Sequence, residues 1–259
     1  DVMTANPNVD EFELISVTEG ITATVTVHRD PGGNLHLYSS GQTLAGDDHL
    51  FRGDQKMLGH FGVLLNPQAK RILSVGFGSG ETTACLSKHK LDGIDCVEIA
   101  PEIVGVSLKY FQHINLGETL HDKVNMIFMD AKNYVHLTDT KYDAIVNDSI
   151  HPRDFADNAS LYTREYYESA RQHLNEGGLF ISWIPSQDVL PVSVLDSLIG
   201  TMLDVFPHVT LWFMVPDPAS YYLVVGSTEP QVFVPTHIQD ELRNPDVLAS
   251  LSEIDIIND

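Results

Sequence analysis

Arg71-Ile72-Leu73-Ser74-Val75-Gly76-Phe77-Gly78-Ser79-Gly80-Glu81-Thr82-Thr83 is the stretch that decides how this chain folds. Its opening run is apolar without alternation, the pattern of a strand buried on both faces. It leads into Gly76, Gly78 and Gly80, where the missing Cβ permits a tight turn and close backbone approach ahead of a helix N-terminus. Alone, a G-x-G-x-G turn is a weak signal, since any sharp strand-to-helix turn can require it. A second feature strengthens it. Glu98 ends the next apolar run, 22 residues after Gly76, the spacing at which doubly wound proteins place a carboxylate to accept ribose hydroxyls.

Outward from this turn, short apolar runs at 71–77, 93–98, 124–129, 142–147 and 179–184 alternate with helical patterns at 80–89, 101–111, 131–137, 162–174 and 192–205. Such alternation predicts a parallel sheet with helices on both faces. Runs at 209–215 and 221–225 add an antiparallel edge hairpin, bringing the sheet to seven strands. Upstream, Met57, Leu58, Phe61, Leu64 and Leu65 make a helical stripe over 55–65 that stops at Asn66-Pro67. Before it, alternation at 21–27, the turn Asp30-Pro31-Gly32-Gly33 and the run 35–38 predict an antiparallel β appendage over roughly 12–45. The expected organisation is a β appendage in 1–50, a catalytic α/β unit in 51–228 and an acidic segment in 229–259.

The chain holds 36 acidic residues against 15 basic ones in 259, a formal net charge of −21. That charge repels nucleic acid and anionic lipid and gathers cations, so no nucleic-acid partner is expected. Solubility or a salty environment is the plainer use of the acidity. Cys85 and Cys96 are the only cysteines and form no C-x-x-C pair, which excludes a disulfide framework and fits a reducing compartment. No apolar run approaches the roughly 18 residues that span a bilayer, and no signal peptide opens the chain. His28, His36, His89 and His173 lack metal-ligand spacing and read as surface residues, so no metal is expected. Trp183 and Trp212 read as core.

In an open parallel sheet, ligands bind beyond the carboxyl ends of the strands. The glycine turn, with Ser79 inside it, is the first such end. Glu98 is the second, as ribose acceptor or as cap of the helix that starts near Pro101. At the third, Met129-Asp130-Ala131, Asp130 can accept from an exocyclic adenine amine while the Ala131 amide donates to a ring nitrogen. Asp130 can cap the following helix at the same time. The fourth, Ile145-Val146-Asn147-Asp148-Ser149-Ile150-His151-Pro152, sets Asp148 where a carboxylate can position an amine and take its proton. A turn Asp ahead of Pro152 is its alternative role. His60, on the helix facing the glycine turn, is open between substrate contact and packing. A dinucleotide dehydrogenase shares the glycine and acid spacing, but position 81 is Glu where that motif needs its third glycine. The chain also lacks a second mononucleotide half.

With these pieces in order, the chain resembles the spermidine/spermine synthase (aminopropyltransferase) family over about residues 15–226. The carrying stretches are Asp54-Gln55-Lys56-Met57-Leu58-Gly59-His60, the turn 76–80, Val97-Glu98-Ile99, Asp130-Ala131, Tyr142-Asp143-Ala144-Ile145-Val146-Asn147-Asp148 and Leu161-Tyr162-Thr163-Arg164-Glu165-Tyr166-Tyr167. The resemblance implies an α/β fold: a Rossmann-like, class I methyltransferase-type seven-stranded sheet with a small N-terminal antiparallel β domain. It implies transfer of an aminopropyl group from decarboxylated S-adenosylmethionine to a small amine, with release of methylthioadenosine and no metal. Gln55, Glu98 and Asp130 become adenosyl ligands, Asp148 the carboxylate that deprotonates the amine, and His151, Tyr162 and Gln187 substrate-side residues. A homodimer is implied too. Because the likeness is closest to bacterial members fused to a membrane-spanning region, a cytoplasmic chain tethered to the inner membrane through a segment before Asp1 is expected.

Departures from the family pattern bear on the reaction. Ser79 stands where the family carries an Asp that binds the propylamine, His151 stands at the second acid of Asp-x-x-Asp-Pro, and Asp54 and Asp217 stand at family tyrosines. Losing a carboxylate at 79 removes an attraction for an ammonium and a repulsion of a carboxylate. Charge-assisted contacts contribute about 1.5–3 kcal/mol, so intact S-adenosylmethionine, in aminocarboxypropyl or methyl transfer, is the alternative. A third reading is a non-catalytic cofactor-binding domain regulating an attached membrane portion.

Overall fold

The computed structural model describes residues 11–150, 156–185, 190–213 and 221–254. Strands β1 (Glu13–Glu19), β2 (Thr24–Arg29), β3 (Leu35–Ser39) and β4 (Gln42–Gly46) pair antiparallel in sequence order. Residues 21–23, expected as the start of a strand, instead turn the chain from β1 to β2, with Ile21 fully exposed. The reason lies far away in sequence: Glu102 accepts from the amides of Thr22 and Ala23, at 3.0 and 2.7 Å, and takes them out of the ladder.

The chain continues through α1 (His49–Leu64), β5 (Arg71–Val75), α2 (Glu81–Leu86), β6 (Gly93–Glu98), α3 (Pro101–Tyr110), α4 (Gln112–Asn115), β7 (Val124–Phe128), α5 (Ala131–Leu137) and β8 (Tyr142–Asn147). It closes with α6 (Arg164–Gln172), β9 (Leu174–Pro185), α7 (Val192–Leu203), β10 (His208–Phe213), β11 (Tyr221–Ser227), α8 (Pro235–Glu241) and α9 (Pro245–Ser252). The large sheet runs β10-β11-β9-β8-β5-β6-β7. Its five central and distal strands are parallel, and β11 and β10 form the antiparallel edge hairpin. The expected α/β architecture with its small N-terminal antiparallel sheet is therefore present. Strand order reverses between β5 and β8, and that switch point is where an open sheet leaves a crevice.

Unalternating strands are buried on both faces, as Ile72, Leu73, Ala144, Ile145 and Val146 show. Helix α1 begins earlier than its apolar stripe because Asp48 caps it, accepting from the amides of Leu50 and Phe51. At Gly59 it meets α2 so closely that a Cβ would lie 2.5 Å from the Thr82 carbonyl oxygen and 2.7 Å from Cys85 Cβ. Val25, Val27, Leu37 and Ala45 of the small sheet pack on Ile103, Val106 and Phe111, which swings the β1–β2 and β3–β4 turns over the crevice. The C-terminal segment is no loose tail: Val247, Leu251 and Ile254 join the main core beside α1. No helix among the described residues is long and apolar enough to cross a membrane.

Candidate active site

A cavity of about 310 Å³ opens at the switch point. Gly76 and Gly78 from the turn after β5, Glu98 from β6, Asp130 and Ala131 after β7, and Asp148 after β8 all line it. Gln55 of α1 closes one side, and Thr22, Ala23, Ser39 and Ser40 of the small sheet roof it. Apolar surface comes from Val75, Val97, Ile99, Ile103 and Met129. A flat apolar slot ringed by a few polar groups is what a nucleoside requires.

The three glycines are needed for conformation. Gly76, Gly78 and Gly80 have φ of +89°, +53° and +87°, left-handed backbone that side chains disfavour. A Cβ on Gly76 would sit 3.2 Å from the Asp148 carbonyl oxygen, so the two strand ends approach backbone to backbone. Gly80 does not line the cavity; it turns the chain into α2 against the Phe77 ring.

Glu98 lines the cavity and braces the backbone at the start of α3. Its two oxygens accept from the Phe77 amide at 2.9 Å and the Ala100 amide at 3.0 Å, tying the glycine turn to the start of α3. Burial pushes its pKa up, while the amides of Ala100 and Phe77 oppose that. Each carboxylate oxygen keeps acceptor capacity toward the cavity. Asp130 caps α5 through the Asn133 amide at 2.8 Å and also lines the cavity.

The Asp148 amide donates to the Val75 carbonyl at 2.9 Å, which registers its carboxyl beside the glycine turn. Burial raises that carboxyl to about 7; a Thr82 hydroxyl bond opposes the rise and the Glu98 charge adds to it. One residue before Gln55, Asp54 Oδ1 is buried with no hydrogen-bond partner among the described residues. Burial holds Asp54 well above the usual carboxylate range, with the Asp148 and Asp48 charges acting the same way.

Three expected site residues do not line the cavity. The Ser79 side chain is fully buried behind the turn and donates to Gln55 Oε1 at 2.5 Å, so it reaches the cavity only through Gln55. Tyr162 is buried too, its hydroxyl donating to the Ser149 carbonyl at 2.8 Å; it braces the loop carrying Asp148 instead of opening on the cavity. His60 faces away from the cavity, in a buried contact with His89 and Ser250, because the C-terminal helices cover that side of α1. His89, expected at the surface, is buried for the same reason. His151, Gln187 and Asp217 lie outside the described residues. Sequence reasoning missed the roof residues Thr22, Ala23, Ser39 and Ser40. Their only local signal is the Ser39-Ser40-Gly41 turn, and nothing in it names the surface it will cover. Among the described residues no cluster of His, Cys, Asp or Glu could hold a metal ion.

Comparison with known proteins assigns the family. Residues 52–235 match the spermine/spermidine synthase domain. The chain belongs to the spermine/spermidine synthase family. Within it, the polyamine aminopropyltransferase of Serratia proteamaculans is 31% identical over 142 residues, which cover 54% of this chain and 48% of that protein. A Yersinia pestis polyamine aminopropyltransferase is 30% identical over 142 residues, covering 54% of this chain and 46% of that one. The matched stretch thus spans about half the length of these curated relatives. Among solved structures, spermidine synthase from Thermotoga maritima superposes with a TM-score of 0.75 at 19% identity, over 95% of this chain and 88% of that one. A spermidine synthase bound to the transition-state analogue AdoDATO gives 0.74 at 17% identity, over 95% and 89%. At these identities the structural matches speak for the family fold.

Proposed function

We propose that this family member transfers an aminopropyl group from decarboxylated S-adenosylmethionine to a small amine and releases methylthioadenosine. The observation that carries the proposal is the convergence of Glu98, Asp130 and Asp148 on one slot at the switch point, with Asp148 raised to about 7. Glu98 would hold the ribose, Asp130 and the Ala131 amide the adenine edge, and Gln55 the flank. The sulfonium supplies an electrophilic carbon with a neutral thioether as leaving group. Asp148 orients the attacking amine and accepts its proton as the new C–N bond forms; holding both partners in the slot supplies the rest of the acceleration. Incubating the purified protein with the decarboxylated donor and a panel of diamines and polyamines tests this. Methylthioadenosine release is expected, and none with any amine would sink the proposal.

Asp54 lies outside the cavity lining but within electrostatic reach of Asp148, and it supports an amine there, since a buried carboxyl oxygen without a partner is costly unless a ligand donates to it. Asp54→Asn is expected to raise KM for the amine about tenfold, the worth of one charge-assisted bond, with methylthioadenosine affinity unchanged. Steady-state kinetics and calorimetry check it.

One observation favours the intact, carboxylated donor as a second reading. Ser79 donates to the carbonyl end of Gln55, which leaves the Gln55 amide nitrogen, a donor, to bond a ligand. A donor suits a carboxylate better than an ammonium. Ser79→Asp would reverse that polarity, accepting from the Gln55 nitrogen and adding a negative charge. Calorimetry with both donors should show the preference for the decarboxylated form rising about tenfold or more in this variant. Homodimer assembly and attachment to a membrane-spanning segment on the cytoplasmic side rest on the resemblance alone; sedimentation of the purified chain tests the first.

A further inference from the structure

Helices α8 and α9 begin where the family match at 52–235 ends. Buried polar groups fasten them to α1. Lys56 Nζ on α1 donates to the Ser250 carbonyl at 3.0 Å and pairs with Glu253 at 2.8 Å, and it lies 3.4 Å from the Ser250 hydroxyl. That hydroxyl is 3.0 Å from His60 Nε2. His60 Nδ1 is 2.8 Å from His89 Nε2, and His89 Nδ1 is 2.6 Å from Glu241 on α8.

The ends of this row set its direction. Lys56 offers only donors and the Glu241 carboxylate only acceptors. His89 therefore carries its proton on Nδ1, its Nε2 accepts from His60 Nδ1–H, and His60 Nε2 accepts from the Ser250 hydroxyl. With both rings neutral every hydrogen bond of the row is made, all in one direction. One added proton, on His60 Nε2, turns only the His60–Ser250 bond around: the Ser250 oxygen then accepts from both Lys56 and His60, and its hydroxyl is left to the Cys85 sulfur at 3.5 Å. A second leaves two N–H groups pointing at each other across the His60–His89 contact.

Burial holds His60 well below the ordinary histidine value, with His89, Lys56 and Lys88 acting in the same direction. Burial also lowers His89, and His237 adds to that while Glu241 opposes it. Glu81, Cys85 and Glu253 also pack around the row, and Arg52 pairs with both carboxylates. Because both rings bind protons more weakly here than when released, the hold is complete above about pH 6.5 and fades as pH falls below it. The row also reaches the cavity: Lys56 follows Gln55 directly, Gln55 is bonded to Ser79, and α1 meets α2 backbone to backbone at Gly59.

We propose that α8 and α9 form a clamp on α1 that protonation of the His60–His89 pair releases, and that release weakens nucleoside binding in the cavity. The second clause rests on the adenosyl reading above.

Hydrogen exchange on the full chain at about pH 7.5 and 5.5, corrected for intrinsic rates, tests the clamp, with methylthioadenosine affinity measured alongside. Protection of α8, α9 and α1 is expected to drop about tenfold at the lower pH while β8 stays protected. The nucleoside Kd should rise about fivefold. In His89→Gln, which keeps a donor and an acceptor without titrating, the pH step should shrink to the share carried by His60. Unchanged wild-type protection of α8 and α9 overturns the clamp, whatever the variant does. So does an equal loss in β8, which would mean general acid loosening. Release without change in α1 or in Kd overturns the coupling. If methylthioadenosine binds at neither pH, the adenosyl reading falls, and exchange in α8 and α9 still decides the clamp.

Discussion

Asp148→Asn should lower turnover by about 10²- to 10⁴-fold, the usual contribution of a positioned general base, with methylthioadenosine affinity retained. The amide keeps the size and shape of the carboxyl. It also matches the neutral form that Asp148 already adopts in part near pH 7, since burial raises it to about that value. Folding is therefore expected to survive, and calorimetry on the variant separates lost chemistry from lost binding. The same raised value fixes the sign of the pH dependence. Asp148 accepts a proton only when ionised, so kcat/KM for the wild type should climb as pH rises through about 7 and level off above it. A bound cation beside the carboxylate favours ionisation, so the limb in kcat should lie lower than the one in kcat/KM. Wild-type turnover in Asp148→Asn, or a flat profile across that range, removes Asp148 from the mechanism.

The second large effect is expected at Glu98. Replacing it with Ala leaves the buried amides of Phe77 and Ala100 without their acceptor, at about 1–3 kcal/mol each. It also removes the acceptor proposed for the ribose. Methylthioadenosine affinity should fall by about a hundredfold or more, because two hydroxyl bonds to a charged group contribute about 1.5–3 kcal/mol each. Thermal unfolding should shift down in parallel. Glu98→Gln separates the two roles: it keeps an acceptor for one amide, so it should recover part of the stability and little of the affinity. Calorimetry and thermal melts on both variants check this, and a Glu98→Ala protein that is unstable yet binds normally would make Glu98 purely a brace.

Local sequence carries the chemistry of strand ends. The turn 76–80 is legible because a left-handed backbone at alternate positions tolerates little besides glycine, and all three glycines show it. Glu98, Asp130 and Asp148 are legible because each stands where an apolar run ends at the carboxyl end of a parallel strand, the side of an open sheet on which ligands bind. By contrast, Ser79, Tyr162 and His60 belong to the motif stretches, yet their side chains are buried behind the cavity lining and taken by other partners. A motif fixes the backbone path and leaves open which neighbour takes the side chain.

What the sequence by itself determined is the alternation of strands and helices from α1 to β11, the glycine turn and the three acidic strand ends, since each depends on residues within a few positions of one another. Only the tertiary structure decided the roof over the cavity and the burial of His60 and His89. Glu102 reaches back to Thr22 and Ala23 across 80 and 79 positions, and Ser250 reaches His60 across 190. Contacts at such separations arise from the packing of whole elements on a shared core, and no local pattern of apolar and polar residues encodes their partners.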